Sequence, residues 1–285
     1  MGCNMNVLSV ICQHCPKLEI LEMNNRHLSD SIFVDHILKP VSLLKQDDDD
    51  NNGVHGLRSL VLHDIYILDP GIPLLLQKYQ STIERLQLNG LSYFAGERPS
   101  MPNHFWRFFS SLIMPNLTDL SISPGVLGNM YSHISPLLQQ CRTSLRRLCL
   151  YSFNSSSLRT INTEIIDLLS TTLGENLEKL VLQNFRLYKG TKMFQKLRQK
   201  EKLTHLVLSR CENLSDVVLR RAASIASLVE VTFVDGTGSY HRGSNLSADG
   251  MRQVCIELAK LPKLQNTYLP PDLRLGASCS PPQNF

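Results

Sequence analysis

The stretch Leu203-Thr204-His205-Leu206-Val207-Leu208-Ser209-Arg210-Cys211-Glu212-Asn213-Leu214-Ser215-Asp216 decides the fold. Its apolar residues fall at positions one, four and six, and the last two alternate as a β-strand requires. Side chains two apart share a strand face, so Leu206 and Leu208 point into a core while His205, Val207 and Ser209 point away from it. The polar run that follows ends on Ser215, an N-cap residue type, and opens a segment whose apolar residues recur at three and four. One short strand followed by one helix is therefore the unit.

The same spacing recurs along the chain. Marking the first apolar residue of each motif gives Leu18, Leu57, Ile83, Leu117, Leu145, Leu177, Leu203, Leu228 and Leu264. The closest neighbours stand about 26 residues apart, within the roughly 20 to 29 of leucine-rich repeats. Extra residues enter between strands, near 29–52, 92–112 and 235–247, and never inside them. Helices are expected over 161–173, 215–226 and 247–260, with Ser215 and Ser247 as N-caps, and over about 5–14 at the start. Neither the strand nor the helix of one unit can bury its apolar face alone, so units must stack. The expected fold is α/β: a leucine-rich repeat solenoid of about nine repeats, with a curved parallel sheet on the concave face and helices on the convex face. It is expected to span 1–269 as one elongated domain, with a flexible tail over 270–285. A doubly wound sheet fits less well, because its buried strands would be near-continuous Val and Ile runs.

Composition narrows the function classes. The formal charge of +4 includes the acidic run Asp47 to Asp50, and the remainder carries 29 minus 21, or +8. That is mildly basic and is not the signature of a nucleic-acid binder. The eight cysteines read as reduced packing residues: Cys15 and Cys141 fill the same slot after a helix, and Cys149 and Cys211 lie in or just after strand motifs. No signal-like apolar stretch opens the sequence and no run could span a bilayer, so a cytoplasmic or nuclear protein with no membrane partner is expected. The chain begins inside a repeat, with a helix that no strand motif precedes, and it is expected to belong to a longer protein.

Several motifs resolve into packing or solvated surface. Cys12-Gln13-His14-Cys15 has the spacing of a zinc half-site, but no second cluster matches it, and Cys12 and Cys15 suit the buried stripe of a helix. Met1-Gly2-Cys3 lacks the Ser or Thr of an acylation signal, since position 6 is Asn6. Asn116-Leu117-Thr118, Asn213-Leu214-Ser215 and Asn245-Leu246-Ser247 match glycosylation acceptors only because an Asn precedes a repeat leucine. Asp47 to Asp50 lacks the spaced ligands of a calcium loop. Phe105, Phe108, Phe109 and Leu112 share one helical face and read as core. No nucleophile motif or phosphate-cradling loop is present, so the protein is expected to be no enzyme, without cofactor or metal.

A binding function then falls to the outward strand positions, which form three rows. The first runs Ile20, Ser59, Arg85, Asp119, Arg147, Lys179, His205, Glu230 and Asn266. The second runs Glu22, Val61, Gln87, Ser121, Cys149, Val181, Val207, Thr232 and Tyr268. The third runs Asn24, His63, Asn89, Ser123, Tyr151, Gln183, Ser209 and Val234. Arg85, Asp119, Arg147, Tyr151, Lys179 and His205 are the expected contacts for a protein client, with the cations suiting an acidic or phosphorylated one. Charge reversal at Arg85 and Arg147 is the corresponding test. The loop over 235–247 is expected either to fold over one end of this face or to be disordered.

The run from Leu203 to Asp216 closely resembles the cysteine-containing leucine-rich repeat of F-box proteins, and Leu28-Ser29-Asp30 echoes its ending. The other units match more loosely from Leu18 to Leu269. The resemblance implies a substrate receptor of a cullin ubiquitin ligase of the SCF type, whose repeats hold the client while an F-box docks on the adaptor. Nothing in these residues looks like an F-box, so adaptor binding is implied only if one lies upstream. The alternative is a scaffold or inhibitor resembling the ribonuclease-inhibitor-like proteins, whose longer alternating repeats fit units of 25 and 26 less well.

Overall fold

The structure is a computed structural model of the 285 residues. It describes residues 8, 11, 14, 15, 17–24, 56–63, 71–89, 102–122, 130–151, 169, 171, 173–185, 187, 190–211, 215–234 and 248–268. The acidic run, residues 1–3, Cys12, Asn213, the segment 235–247 and the tail 270–285 lie outside them, as do the side chains of Phe105 and Trp106. The chain divides into two compact units, Met1–Ser144 and Leu145–Phe285.

In the first unit, parallel strands β1 (Ile20–Asn24), β2 (Ser59–His63), β3 (Arg85–Asn89) and β4 (Asp119–Ile122) pair in chain order. Helices α1 (Gly71–Tyr79), α2 (Pro102–Ser111) and α3 (Met130–Gln140) belong to it, and α2 packs on α3. The second unit holds β5 (Arg147–Tyr151), β6 (Lys179–Gln183), β7 (His205–Ser209), β8 (Glu230–Val234) and β9 (Asn266–Tyr268), again parallel and in chain order. Its helices are α4 (Gly190–Leu197), α5 (Asp216–Ala223) and α6 (Ala248–Ala259), with α5 packed between the other two. Among the described residues a helix separates the successive strands from β2 to β5 and from β6 to β9, an order compatible with a repeat solenoid.

The strand leucines make the core. Leu57, Leu60, Leu62, Ile83, Leu86, Leu88, Leu180, Leu182, Leu203, Leu206 and Leu208 are all fully buried. Within each unit the strand pairings place motif position on motif position, so Leu60 faces Leu86 and Leu180 faces Leu206. A repeated backbone device sets this register. The carbonyl of the residue just before β2, β6 and β7 accepts from two successive amides of the next repeat: Arg58 O from Glu84 N and Arg85 N, Glu178 O from Thr204 N and His205 N, Thr204 O from Val229 N and Glu230 N, at 2.8 to 3.0 Å. Each forked bond satisfies two backbone donors where the chain enters the sheet.

Polar side chains close the turns before the marker residues. Thr82 Oγ1 donates to Leu57 O (2.9 Å), and Ser227 Oγ donates to Leu203 O (2.7 Å), each reaching the marker residue of the preceding unit. Asn116 Nδ2 likewise donates to Ser81 O (2.7 Å), so the Asn of that apparent glycosylation motif ties one unit to the next.

The helix expected at Ser215 begins there: its hydroxyl accepts from Val218 N at 3.3 Å. It ends at Ala223 rather than Ala226. Ser224 Oγ takes the carbonyl of Arg221 (2.8 Å), and Ile225 N bonds to Ala222 O, three residues back, so the last turn tightens and turns Ile225 and Leu228 inward. Leu169 and Thr171 are helical, within the expected 161–173, and Leu8, Ile11 and His14 within the expected 5–14. The stretch 92–112 carries α2, where Phe109 and Leu112 are buried and Phe108 half-buried.

Two expectations need correction. Cys15 is exposed while Cys141 is fully buried, although the amides of both close the same turn, onto Ile11 O and Leu137 O. The slot repeats; what packs beside it does not. Burial raises the Cys141 thiol from the ordinary 9.0 to about 12, with a backbone hydrogen bond pulling weakly the other way. At pH 8 its thiolate fraction is therefore lower by about a thousandfold. Iodoacetamide is expected to label Cys15 rapidly in the native protein and to leave Cys141 unmodified until denaturant is added, which peptide mass mapping reads directly. Because the folded thiol keeps its proton longer than the unfolded one, this group withdraws stability as pH rises from about 9 toward 12.

The second correction concerns the outward residues. Val61, Ser121 and Val181 face away from the strand leucines in register yet are buried, at 4%, 2% and 8% exposure. Strands stand about 4.8 Å apart, so short side chains in the middle row are roofed by longer neighbours in the rows beside them.

Candidate functional site

The outward face differs between the two units. In the first, Ile20, Ser59, Arg85 and Asp119 stand side by side on four strands. Arg85 Nε lies 3.9 Å from Asp119 Oδ2. With the Gln87 amide turned so that its oxygen faces the guanidinium, that oxygen accepts from Arg85 at 2.8 and 3.1 Å. Arg85 is thus held over its own sheet by a carboxylate and an amide. Ser121 Oγ donates to Asn89 Oδ1 (3.1 Å), and Arg58 pairs with Glu84 at 3.5 Å. Most polar groups of this face thus bond to one another, while the buried Ser59 Oγ has no hydrogen-bond partner among the described residues.

In the second unit Arg147, Lys179 and His205 occupy one register row on adjacent strands, and Glu230 continues it. Like charges directly opposite one another on a sheet repel, so this row concentrates positive charge at some cost to the strands that carry it. Arg147 is exposed, and Lys179 and His205 are half-buried. Tyr151, half-buried, sits four residues along β5 in the third row, opposite Gln183.

Thr204 fixes the imidazole. Its hydroxyl lies 3.1 Å from Glu178 O and 2.8 Å from His205 Nδ1. A hydroxyl has one proton, and the carbonyl can only accept. Thr204 Oγ1 thus bridges Glu178 O and His205 Nδ1, and the imidazole tautomer sets whether the ring donates or accepts in that contact. Glu178 itself pairs with Arg146 at 3.6 Å, one residue before the strands.

The six residues singled out from the sequence thus separate. Arg147, Tyr151, Lys179 and His205 share the face of the second unit, whereas Arg85 and Asp119 pair with each other in the first. Gln87 and Thr204 hold a site side chain in place and were not marked as contacts. The two-residue strand period could have flagged Gln87, but no sequence signal reports which rotamer brings it to Arg85.

Among the described residues, no group of three or more His, Cys, Asp or Glu could hold a metal ion, and no helix is long and apolar enough to cross a membrane. No protein-family model and no curated protein matches this chain.

Proposed function

We propose that this chain is a protein-binding module of the leucine-rich repeat type that captures an acidic or phosphorylated client on the strand face of its second unit. The observation that carries the reading is the register row Arg147, Lys179 and His205, three basic side chains on adjacent strands, which Glu230 continues. Guanidinium and ammonium donors at successive strand spacings match the oxygens of successive acidic or phosphorylated side chains on an extended segment. Tyr151 offers that segment an aromatic edge.

Together with the F-box-type repeat from Leu203 to Asp216, this favours a substrate receptor of an SCF-type cullin ubiquitin ligase acting in protein degradation, in the cytoplasm or nucleus. Adaptor contact is proposed only through an F-box outside these residues. The alternative is a non-ligase scaffold or inhibitor that uses the same face.

The discriminating variant is Arg147→Glu with Lys179→Glu, which reverses two members of that row. Affinity capture with mass spectrometry should recover a client whose acidic or phosphorylated peptide binds the chain at least about tenfold more weakly after this double reversal. Arg85→Glu should cost less. Retention of the client by the double variant would overturn the site. Clients without any ligase component, captured by a form extended upstream, would favour the scaffold.

A further inference from the structure

The helices of the second unit carry a second charged surface, unrelated to the strand row. On α5, Val218, Leu219, Ala222 and Ala223 are buried, which leaves Val217 at the crest of the opposite face with Arg220 and Arg221 on either side of it. On α6, Val254 and Leu258 are buried, and Ile256 crests the exposed face one turn from Arg252. On α4, Met193, Phe194 and Leu197 are buried, and Lys192 and Lys196 occupy the opposite face. α4, α5 and α6 pack side by side, so these crests form one surface.

Its composition is unusual in two ways. Val217 and Ile256 are 48% and 41% exposed, among the few large apolar residues left open in the described chain. Five exposed cations surround them against one exposed carboxylate, Asp249. Asp216 is half-buried, and Glu257 is taken by Lys260 at 2.9 Å. Among the described residues none of the five cations forms an ion pair; Arg220 Nε donates only to Asp216 O of its own helix, at 3.4 Å.

We propose that this helix face docks on an anionic lipid surface. Cations on three neighbouring helices, with axes about 8–10 Å apart, spread positive charge over an area rather than along a line. A sheet of anionic headgroups meets such an area without needing a matching pocket. The two apolar crests decide against a nucleic acid, whose phosphate backbone gives them nowhere to go and for whose bases this face has no stacking ring among the described residues. At a bilayer they enter the headgroup layer. The surface is separate from the strand row, so a client and a membrane can be held at once.

The test is co-flotation of the full chain with vesicles of phosphatidylcholine alone or with about one third phosphatidylserine. Each basic residue near an anionic surface contributes roughly a fivefold factor. Wild type should favour the phosphatidylserine vesicles, and Arg220→Gln with Arg221→Gln and Arg252→Gln should reduce that binding roughly a hundredfold. Val217→Ser with Ile256→Ser should weaken it several-fold on the same vesicles. A decoy that removes equal charge from the first unit, Lys17→Gln with Arg58→Gln and Arg142→Gln, controls for net charge and should bind like wild type. All these side chains are exposed, and unchanged thermal unfolding will confirm that each variant folds. The proposal is overturned if wild type binds both vesicles equally or neither, if the helix triple binds like wild type, or if the decoy loses as much as the triple. Binding to single-stranded RNA in place of vesicles would overturn it as well.

Discussion

Leu206→Ala is expected to lower unfolding free energy by about 3 kcal/mol, within the 2–5 typical of emptying a buried leucine site. Leu206 is fully buried on β7, with Leu180 and Val231 as its cross-strand partners and Leu208 two residues along the same face. Strands lie on both sides of it, so the backbone cannot move in to fill the space, and the cavity term adds to the lost transfer energy. The neighbouring substitution His205→Ala serves as the contrast. His205 points to the other face and is half-buried, so it should cost well under about 1 kcal/mol. Urea denaturation of the two variants therefore tests the strand register itself. Equal losses at 205 and 206 would mean that the faces are not divided as described.

Gly250→Val is expected to cost about 2–3 kcal/mol, and its interest lies in the sign of the smaller change, Gly250→Ala. A glycine within a helix is ordinarily improved by alanine, by roughly 0.5–1 kcal/mol. Gly250 lies in the first turn of α6, and a Cβ built there would overlap the carboxylate carbon and both oxygens of Asp216 on α5. The carboxylate must leave its place between the two helices before any side chain can enter, so overpacking outweighs propensity. In an Asp216→Ala background the obstacle is gone, and Gly250→Ala should then be neutral or stabilising. A double-mutant cycle from thermal or urea unfolding reads the coupling, expected to exceed about 1 kcal/mol. Additive effects would show that Gly250 and Asp216 are not in contact.

These two positions were not equally legible. Leu206 belongs to a spacing that repeats at Leu60, Leu86, Leu120, Leu148 and Leu180, so its burial and its partners follow from the pattern alone. Nothing near Gly250 in the sequence points to Asp216, which lies 34 residues earlier. The pairing arises because two helices of successive repeats approach closely, and the approach distance is set by all the residues between them. The binding face divides in the same way. Its rows could be written down from register, and within each unit the paired strands show the expected neighbours. That Arg85 is occupied by Asp119 and Gln87 depends on which side chains reach across strands.

The repeat spacing by itself determined the parallel strands, their order within each unit and the residues that face the core, because a fixed Leu-x-x-Leu-x-Leu admits one strand register and each unit needs the next to bury its leucines. Only the tertiary structure decided that Val61, Ser121 and Val181 are covered, that Cys15 is open where Cys141 is closed, and that Val217 and Ile256 crest a basic helix surface. The physical reason is one of range. Which way a side chain points is fixed within a few residues of its own backbone, whereas what covers it is fixed by neighbours one repeat away, whose lengths and charges the repeat pattern leaves free.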